Sequence, residues 1–322
     1  MDNLTHSLIG AALGQAGLKR RTGLAMPALI LAANLPDIDA PCAIYGVESL
    51  SMRRGLTHGP IALVILPLLL AGALWWFDRW QSRRGKRPEG RLPVDFKWLL
   101  ALCYIGAFTH PLFDWFNNYG IRLLEPFSSQ WFYGDTLFII DPWIIAMLGG
   151  GIWTSLRRER AGRLNWTRPA IASLIGILTF VALNLGITAR HESEFGSALL
   201  NGGRFIASPV PVKFWQRQHI VGKPREAWYT NTVSLSGQSD SELRPVADHR
   251  CTWPDTEALS RTRPDLRAFL FWSRAPYAER SQTGDYVVIR DARFSGFGAR
   301  DQFKVELRGV PCMHSPSSYF AK

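Results

Sequence analysis

Four cysteines are all that the 322 residues contain, and no two of them stand in a CxxC pair. That excludes a paired-thiol redox motif and a cysteine zinc cage. No GxSxG occurs, and Cys42 and Cys103 carry no flanking motif, so nucleophilic catalysis lacks its usual residues. No basic residue precedes the first apolar run, Leu4 to Leu18; its charges, Lys19, Arg20 and Arg21, follow it. A secretory signal has the opposite arrangement, and the run is expected to be retained. Histidine is also sparse: of seven, His6, His58 and His110 are the three in the first 189 residues.

What is present is apolar sequence, unevenly placed, so the mean hydropathy of -0.02 describes neither half. Runs at Pro60 to Phe77, Trp98 to Phe108, Thr136 to Trp153 (interrupted by Asp141) and Pro169 to Ala189 have about the length needed to cross a ~30 Å hydrocarbon core. Two weaker runs precede them, Leu4 to Leu18 and Gly23 to Leu35, each short for a full crossing. After His191 the long runs stop. Short segments rich in β-branched and aromatic residues take over, Ala227 to Leu235, Arg267 to Ser273 and Asp285 to Phe294, punctuated by Gly and Pro. The expected fold is an α-helical polytopic membrane domain over residues 1–189, with about four secure and two short N-terminal helices. A small β-rich soluble domain over 190–322 follows it.

The net charge of +11 would suggest nucleic acid if the basic residues formed a surface patch. They lie instead in short loops between apolar runs, Arg79 to Lys97 and Arg157 to Arg168. The positive-inside rule puts those loops in the cytoplasm. No nucleic-acid partner is then expected, and everything after Ala189 falls outside, in the periplasm of a Gram-negative cell. Cys251 and Cys312 could bridge there or remain two buried thiols. His191, His219, His249 and His314 are scattered without metal-ligand spacing, which favours core or surface roles.

With this topology, polar residues from four helix ends share one membrane level. His6 lies near the start of the first run. NLPDIDAP, Asn34 to Pro41, sets Asp37 and Asp39 two apart in a Pro-flanked turn. RRGLTHGP, Arg53 to Pro60, ends the next connection with Thr57 and His58. THPLFDWFNNYG, Thr109 to Gly120, places His110 and Asp114 four apart, on one face of a helix unless Pro111 breaks it. Each histidine follows a threonine, but the flanks do not match, and capping explains this better than duplication. Ionisable groups near membrane depth are costly and usually face one another, so a shared metal site outweighs six unrelated helix caps.

MDNLTHSLIG, NLPDID, RRGLTHG and THPLFDWFNNYG together resemble the YdjM-like family of inner-membrane proteins, regarded as metal-dependent hydrolases. The resemblance covers most of Met1 to about Ala189. It implies metal-site positions at His6, Asp37, Asp39, His58, His110 and Asp114. WFYGDTLFIIDPW, Trp131 to Trp143, is similar to the family's pattern and makes Asp135 and Asp141 second-tier candidates, as ligands or ligand supports, with a helix cap the alternative for Asp135. Some longer members carry a downstream segment whose opening is similar to Ala207 to Trp215.

Imidazole with carboxylate suits a divalent ion such as zinc or manganese, and six candidates leave room for one ion or two. Such an ion lowers the pKa of water and polarises a phosphoryl or carbonyl oxygen, with Asp39 or Asp114 left as general base. Arg53 and Arg54 are candidates for holding a phosphate or carboxylate of the substrate, or are flanking interfacial charges. A site at the outer face of the inner membrane is best placed for a phosphoester or ester bond of a lipid-like substrate. The competing expectation is a non-catalytic membrane protein with a structural metal site and an exported domain that binds a partner.

Overall fold

The structure is a computed structural model; it describes residues 1–196, 203–239, 241–247, 249–296 and 300–313. His314 lies outside the described residues. The contacts divide the chain into two units, Met1–Ala40 with Arg53–Gly186, and Pro41–Met52 with Ile187–Lys322.

The first unit is helical. Helix α1 (Asn3–Gln15) starts at Asp2, whose carboxylate accepts from the Thr5 N–H, an N-cap that satisfies a donor the helix itself cannot. Helix α2 (Ala25–Asn34) runs into a 3-10 stretch, Leu35–Glu48, which gives way to the one-turn α3 (Ser49–Met52). A second 3-10 turn, Leu56–His58, precedes α4 (Pro60–Arg83), which opens on proline, where its missing N–H costs nothing. Asp95 caps α5 (Phe96–Trp115) and Asp141 caps α6 (Pro142–Arg160). Helix α7 (Arg168–Phe195) carries the chain out of this unit.

Three helices, α4, α5 and α7, are long and apolar enough to cross a membrane. The expected span from Thr136 to Trp153 is not among them. Residues 136 to 141 stay outside the helix because Asp141 starts it, and its last turns are Arg157, Arg158 and Arg160. The two short helices correspond to the two weaker runs.

Close packing of α1, α2 and α5 depends on two glycines. A Cβ on Gly10 would lie 2.6 Å from the Leu29 carbonyl oxygen, and one on Gly106 would lie 2.8 Å from the same oxygen. Both glycines stand about one turn from a site histidine, Gly10 after His6 and Gly106 before His110. Small residues complete the seam, where Ala28, Ala32, Ala71, Leu99, Cys103 and Ala107 form one buried cluster.

The opposite end of the unit is basic. Arg87 and Arg91 clamp the buried Asp78, Lys19 pairs with Glu159, and Lys19 and Arg20 lie over the Trp166 ring. Cations over tryptophan at helix ends are the arrangement expected where protein meets lipid headgroups.

In the second unit, β1 (Arg204–Pro209), β2 (Gln216–Gly222), β3 (Trp228–Ser234) and β4 (Arg244–Pro245) form an antiparallel sheet in that order. Helices α8 (Thr256–Thr262) and α9 (Pro264–Trp272) lead to a second antiparallel sheet, β5 (Pro276–Arg280), β6 (Val287–Asp291) and β7 (Lys304–Leu307). The segment Arg267 to Ser273, expected among the β-type segments, is mostly helix. Pro264 and Asp265 open it and Leu266, Phe269 and Trp272 bury one face at helical spacing. Cys251 and Cys312 are disulfide-bonded with their Cα atoms 5.1 Å apart, while Cys42 and Cys103 are free. The segment Pro41–Met52 packs through α3 against α9, with Glu48, Ser51 and Met52 facing Pro264, Arg267 and Phe271 across a shallow groove.

Candidate metal centre

Helix α5 stays helical through Pro111, so His110 and Asp114 do share a face: His110 Nε2 lies 3.5 Å from Asp114 Oδ2. Around this pair the structure gathers residues from α1, the Leu35–Glu48 stretch and the turn before α4. His6 stacks on His110 with ring centroids 3.7 Å apart, and its Nε2 is 3.4 Å from Asp114 Oδ1. His58 Nε2 is 3.6 Å from Asp114 Oδ2 and 3.8 Å from Asp37 Oδ1. Asp37 Oδ1 is also 3.7 Å from His110 Nε2. Two overlapping triads result, His6, His110, Asp114 and Asp37, His58, His110, each with ligand atoms within 4.8 Å of one another.

Hydrogen bonds outside the triads decide which imidazole nitrogens face inward. His110 Nδ1 is 2.7 Å from the Ala33 carbonyl oxygen. A carbonyl only accepts, so Nδ1 carries the proton, and the neutral ring keeps its lone pair on Nε2. Thr57 donates its hydroxyl proton to Asp39 Oδ2 at 2.9 Å and lies 2.9 Å from His58 Nδ1. His58 Nδ1 must then donate to Thr57, which again leaves Nε2 unprotonated. Burial, with His110 beside it, pushes the His58 imidazole well below its usual value, consistent with a neutral ring. The two Nε2 atoms face each other at 3.2 Å, two acceptors with no proton to share between them.

The buried polar atoms tell the same story. Both ring nitrogens of His6, Asp37 Oδ1 and Asp39 Oδ1 have no hydrogen-bond partner among the described residues. Orphaned polar atoms of this kind are costly, and a divalent cation satisfies imidazole lone pairs and carboxylate oxygens together. The residues present therefore fit a bound divalent ion.

Asp39 is one step removed. Its Oδ2 accepts from Thr57 and from the Arg54 N–H, and lies 3.6 Å from His58 Nδ1. Burial raises its carboxyl above the usual range. Arg54 is not open to a ligand. Its Nε pairs with Asp114 Oδ2 at 3.1 Å and its Nη1 donates to Asn117 Oδ1. The guanidinium lies over the Tyr119 ring, and burial lowers its pKa to about 10. Arg53 stands at the solvent side of Asp37 and Asp39. Asp135 is buried but belongs to neither triad. Asp141 accepts from the Trp143 and Ile144 N–H groups and is the cap of α6.

The loop after α5 supplies partners that sequence reasoning missed. Asn117 Oδ1 accepts from Arg54, Tyr119 and Gly120. The Arg122 backbone N–H donates to the Arg54 carbonyl, and its guanidinium to the Arg53 carbonyl. NNYGIR adjoins the His110–Asp114 pair in sequence, which was the available signal. The Ala33 carbonyl left none, since any residue type carries one.

Residues 1–191 match the family described as YdjM inner membrane protein. No curated protein and no solved structure matches the chain.

Proposed function

The chain belongs to the YdjM inner membrane protein family, and from that premise we propose that it is a metal-dependent hydrolase of the inner membrane. Its substrate class is a phosphoester or ester of a lipid-like molecule, met at the outer face. The observation that carries the reading is the pair of unprotonated Nε2 atoms of His58 and His110 facing each other at 3.2 Å among orphaned carboxylate oxygens. His6, His58, His110, Asp37 and Asp114 would hold one or two divalent ions, zinc or manganese. A bound ion of this type supplies a polarised substrate oxygen and a more acidic water.

The chain's own residues do the rest. Ala33 and Thr57 fix the tautomers of His110 and His58, so both rings arrive oriented. Asp39 is the general base: Thr57 and the Arg54 N–H hold Oδ2, and the bond-free Oδ1 takes the proton from the attacking water. Its raised proton affinity suits that task. The basic, tryptophan-rich end belongs in the cytoplasm by the positive-inside rule, which puts the site and the second unit outside; a disulfide in that unit fits an oxidising compartment.

The test is incubation of the metal-loaded protein with extracted membrane lipids, comparing released phospho-compounds and fatty acids for wild type and His110→Ala. Metal-dependent release by wild type alone is expected; equal release by both sinks the reading. A structural metal site is the second reading, favoured by the complete burial of His6, His58, His110 and Asp114. It predicts bound metal, a lower Tm after chelation, and no release from any lipid fraction.

A further inference from the structure

Arg53 and Arg54 are neighbours with opposite surroundings. Arg54 has φ of 54°, a left-handed conformation that a non-glycine residue adopts only when its surroundings hold it there. Here its own N–H is held by Asp39 and its carbonyl by the Arg122 N–H. The Arg54 side chain is 5% exposed and Arg53's is 29% exposed. Nearly every Arg54 donor is committed, to Asp114, Asn117, the Gly120 carbonyl and the Met1 carbonyl.

Arg53 has no comparable commitments. Its Nη2 is 3.8 Å from Asp37 Oδ1 and its Nε is 3.9 Å from Asp39 Oδ1, both beyond hydrogen-bond length. Its Nε has no hydrogen-bond partner, and neither do the two Oδ1 atoms it faces. The attraction is electrostatic and undirected, so exchanging these carboxylates for another anion breaks no hydrogen bond. A guanidinium fork so placed matches the paired oxygens of a phosphoryl group.

We propose that Arg53 receives the anionic phosphoryl oxygen of the substrate, while Arg54 is a positioning residue that holds Asp114. The assignment rests on the hydrolase reading and divides between two residues a role that the sequence alone gives equally to both. On substrate arrival the Arg53 guanidinium turns from Asp37 and Asp39 to the phosphoryl oxygens.

Full-length protein in phosphatidylcholine nanodiscs, loaded with zinc or manganese, tests this. Metal affinity is measured for wild type, Arg53→Gln, Arg54→Gln and Arg54→Lys. Binding of inorganic phosphate, and of nanodiscs doped with phosphatidic acid, is measured on the same samples. Arg53→Gln is expected to keep wild-type metal affinity and to lose about tenfold or more in binding the phosphoryl probe. Arg54→Gln is expected to lose about 10- to 100-fold in metal affinity, as for other groups that support a ligand. Arg54→Lys keeps the charge and is expected to recover part of it, which covers the case in which Arg54→Gln does not fold. Binding of inorganic phosphate assigns a soluble phospho-compound, and binding to phosphatidate nanodiscs alone assigns a lipid headgroup. The proposal is overturned if Arg53→Gln binds the probes like wild type, if wild type binds neither, or if Arg53→Gln loses metal as Arg54→Gln does. Wild-type protein that holds no metal removes the hydrolase reading itself, and the proposal with it.

Discussion

Each unit of this protein buries a close pair of histidines, and the two pairs differ in what they leave unsatisfied. In the second unit His191 Nδ1 and His219 Nε2 are 2.7 Å apart, packed among Phe195 and Phe205. One ring donates and the other accepts, so the bond closes on itself. In the first unit His58 and His110 are 3.2 Å apart, but each has its proton drawn to the far side, by Thr57 and Ala33. Asp37 and Asp114 set carboxylate oxygens within 4 Å of that pair, whereas aromatic rings flank the other. Proximity of imidazoles therefore says little. The direction of their protons and the carboxylate oxygens within reach of their free nitrogens separate a candidate ligand pair from a packing pair.

The sharpest way to break that comparison is to remove one member of each pair. His110→Ala is expected to abolish stoichiometric metal binding, measured by elemental analysis of purified protein, and His219→Gln to leave it unchanged. Equal loss in both would erase the distinction. Next in size is Gly106→Leu, which drives a side chain into the Leu29 carbonyl and prises His110 from His6. A loss of about 1–3 kcal/mol is expected from overpacking, with metal affinity falling alongside, in a thermal melt repeated with and without chelator. Asp141→Ala should cost about 1 kcal/mol as a lost helix cap and leave metal content untouched. A loss of metal there would return Asp141 to the site.

The smallest effect is a slope. Burial, with His191 beside it, lowers the His219 pKa from its usual 6.5 to about 4. Between those values the unfolded chain binds more protons than the folded one, so stability contributed by neutral His219 is full above pH 6.5 and falls as pH drops toward 4. Hydrogen exchange across β1 and β2 should quicken over that range in wild type, and less steeply in His219→Gln.

Much of the candidate site was legible because its side chains sit in short, unusual strings at the ends of apolar runs, where an ionisable group needs a reason to be. That reasoning reached His6, Asp37, Asp39, His58, His110 and Asp114. It gave Arg53 and Arg54 the same role, because backbone conformation at Arg54 is invisible in the letters. It missed Asn117 and Arg122, whose importance lies in what they hold. Segment type was harder where apolar content is dense. RAFLFWS is rich enough in aromatics for a strand, and the Pro264–Asp265 start that makes it a helix lies just outside the string. The Thr136 to Trp153 run is visibly interrupted by Asp141, but the letters do not say that this residue begins the helix and leaves the five before it outside.

The packing of Pro41–Met52 against α9 bears on modularity. The second unit is discontinuous in the gene: part of it is encoded between Asp39 and Arg53, inside the stretch that builds the site. A cut at Gly186 would not yield two self-sufficient products. The N-terminal product would display Glu48, Ser51 and Met52 without their partners, and the C-terminal product would lack the surface that covers Pro264, Arg267 and Phe271. Splitting, swapping or fusing this protein calls for a boundary in three places.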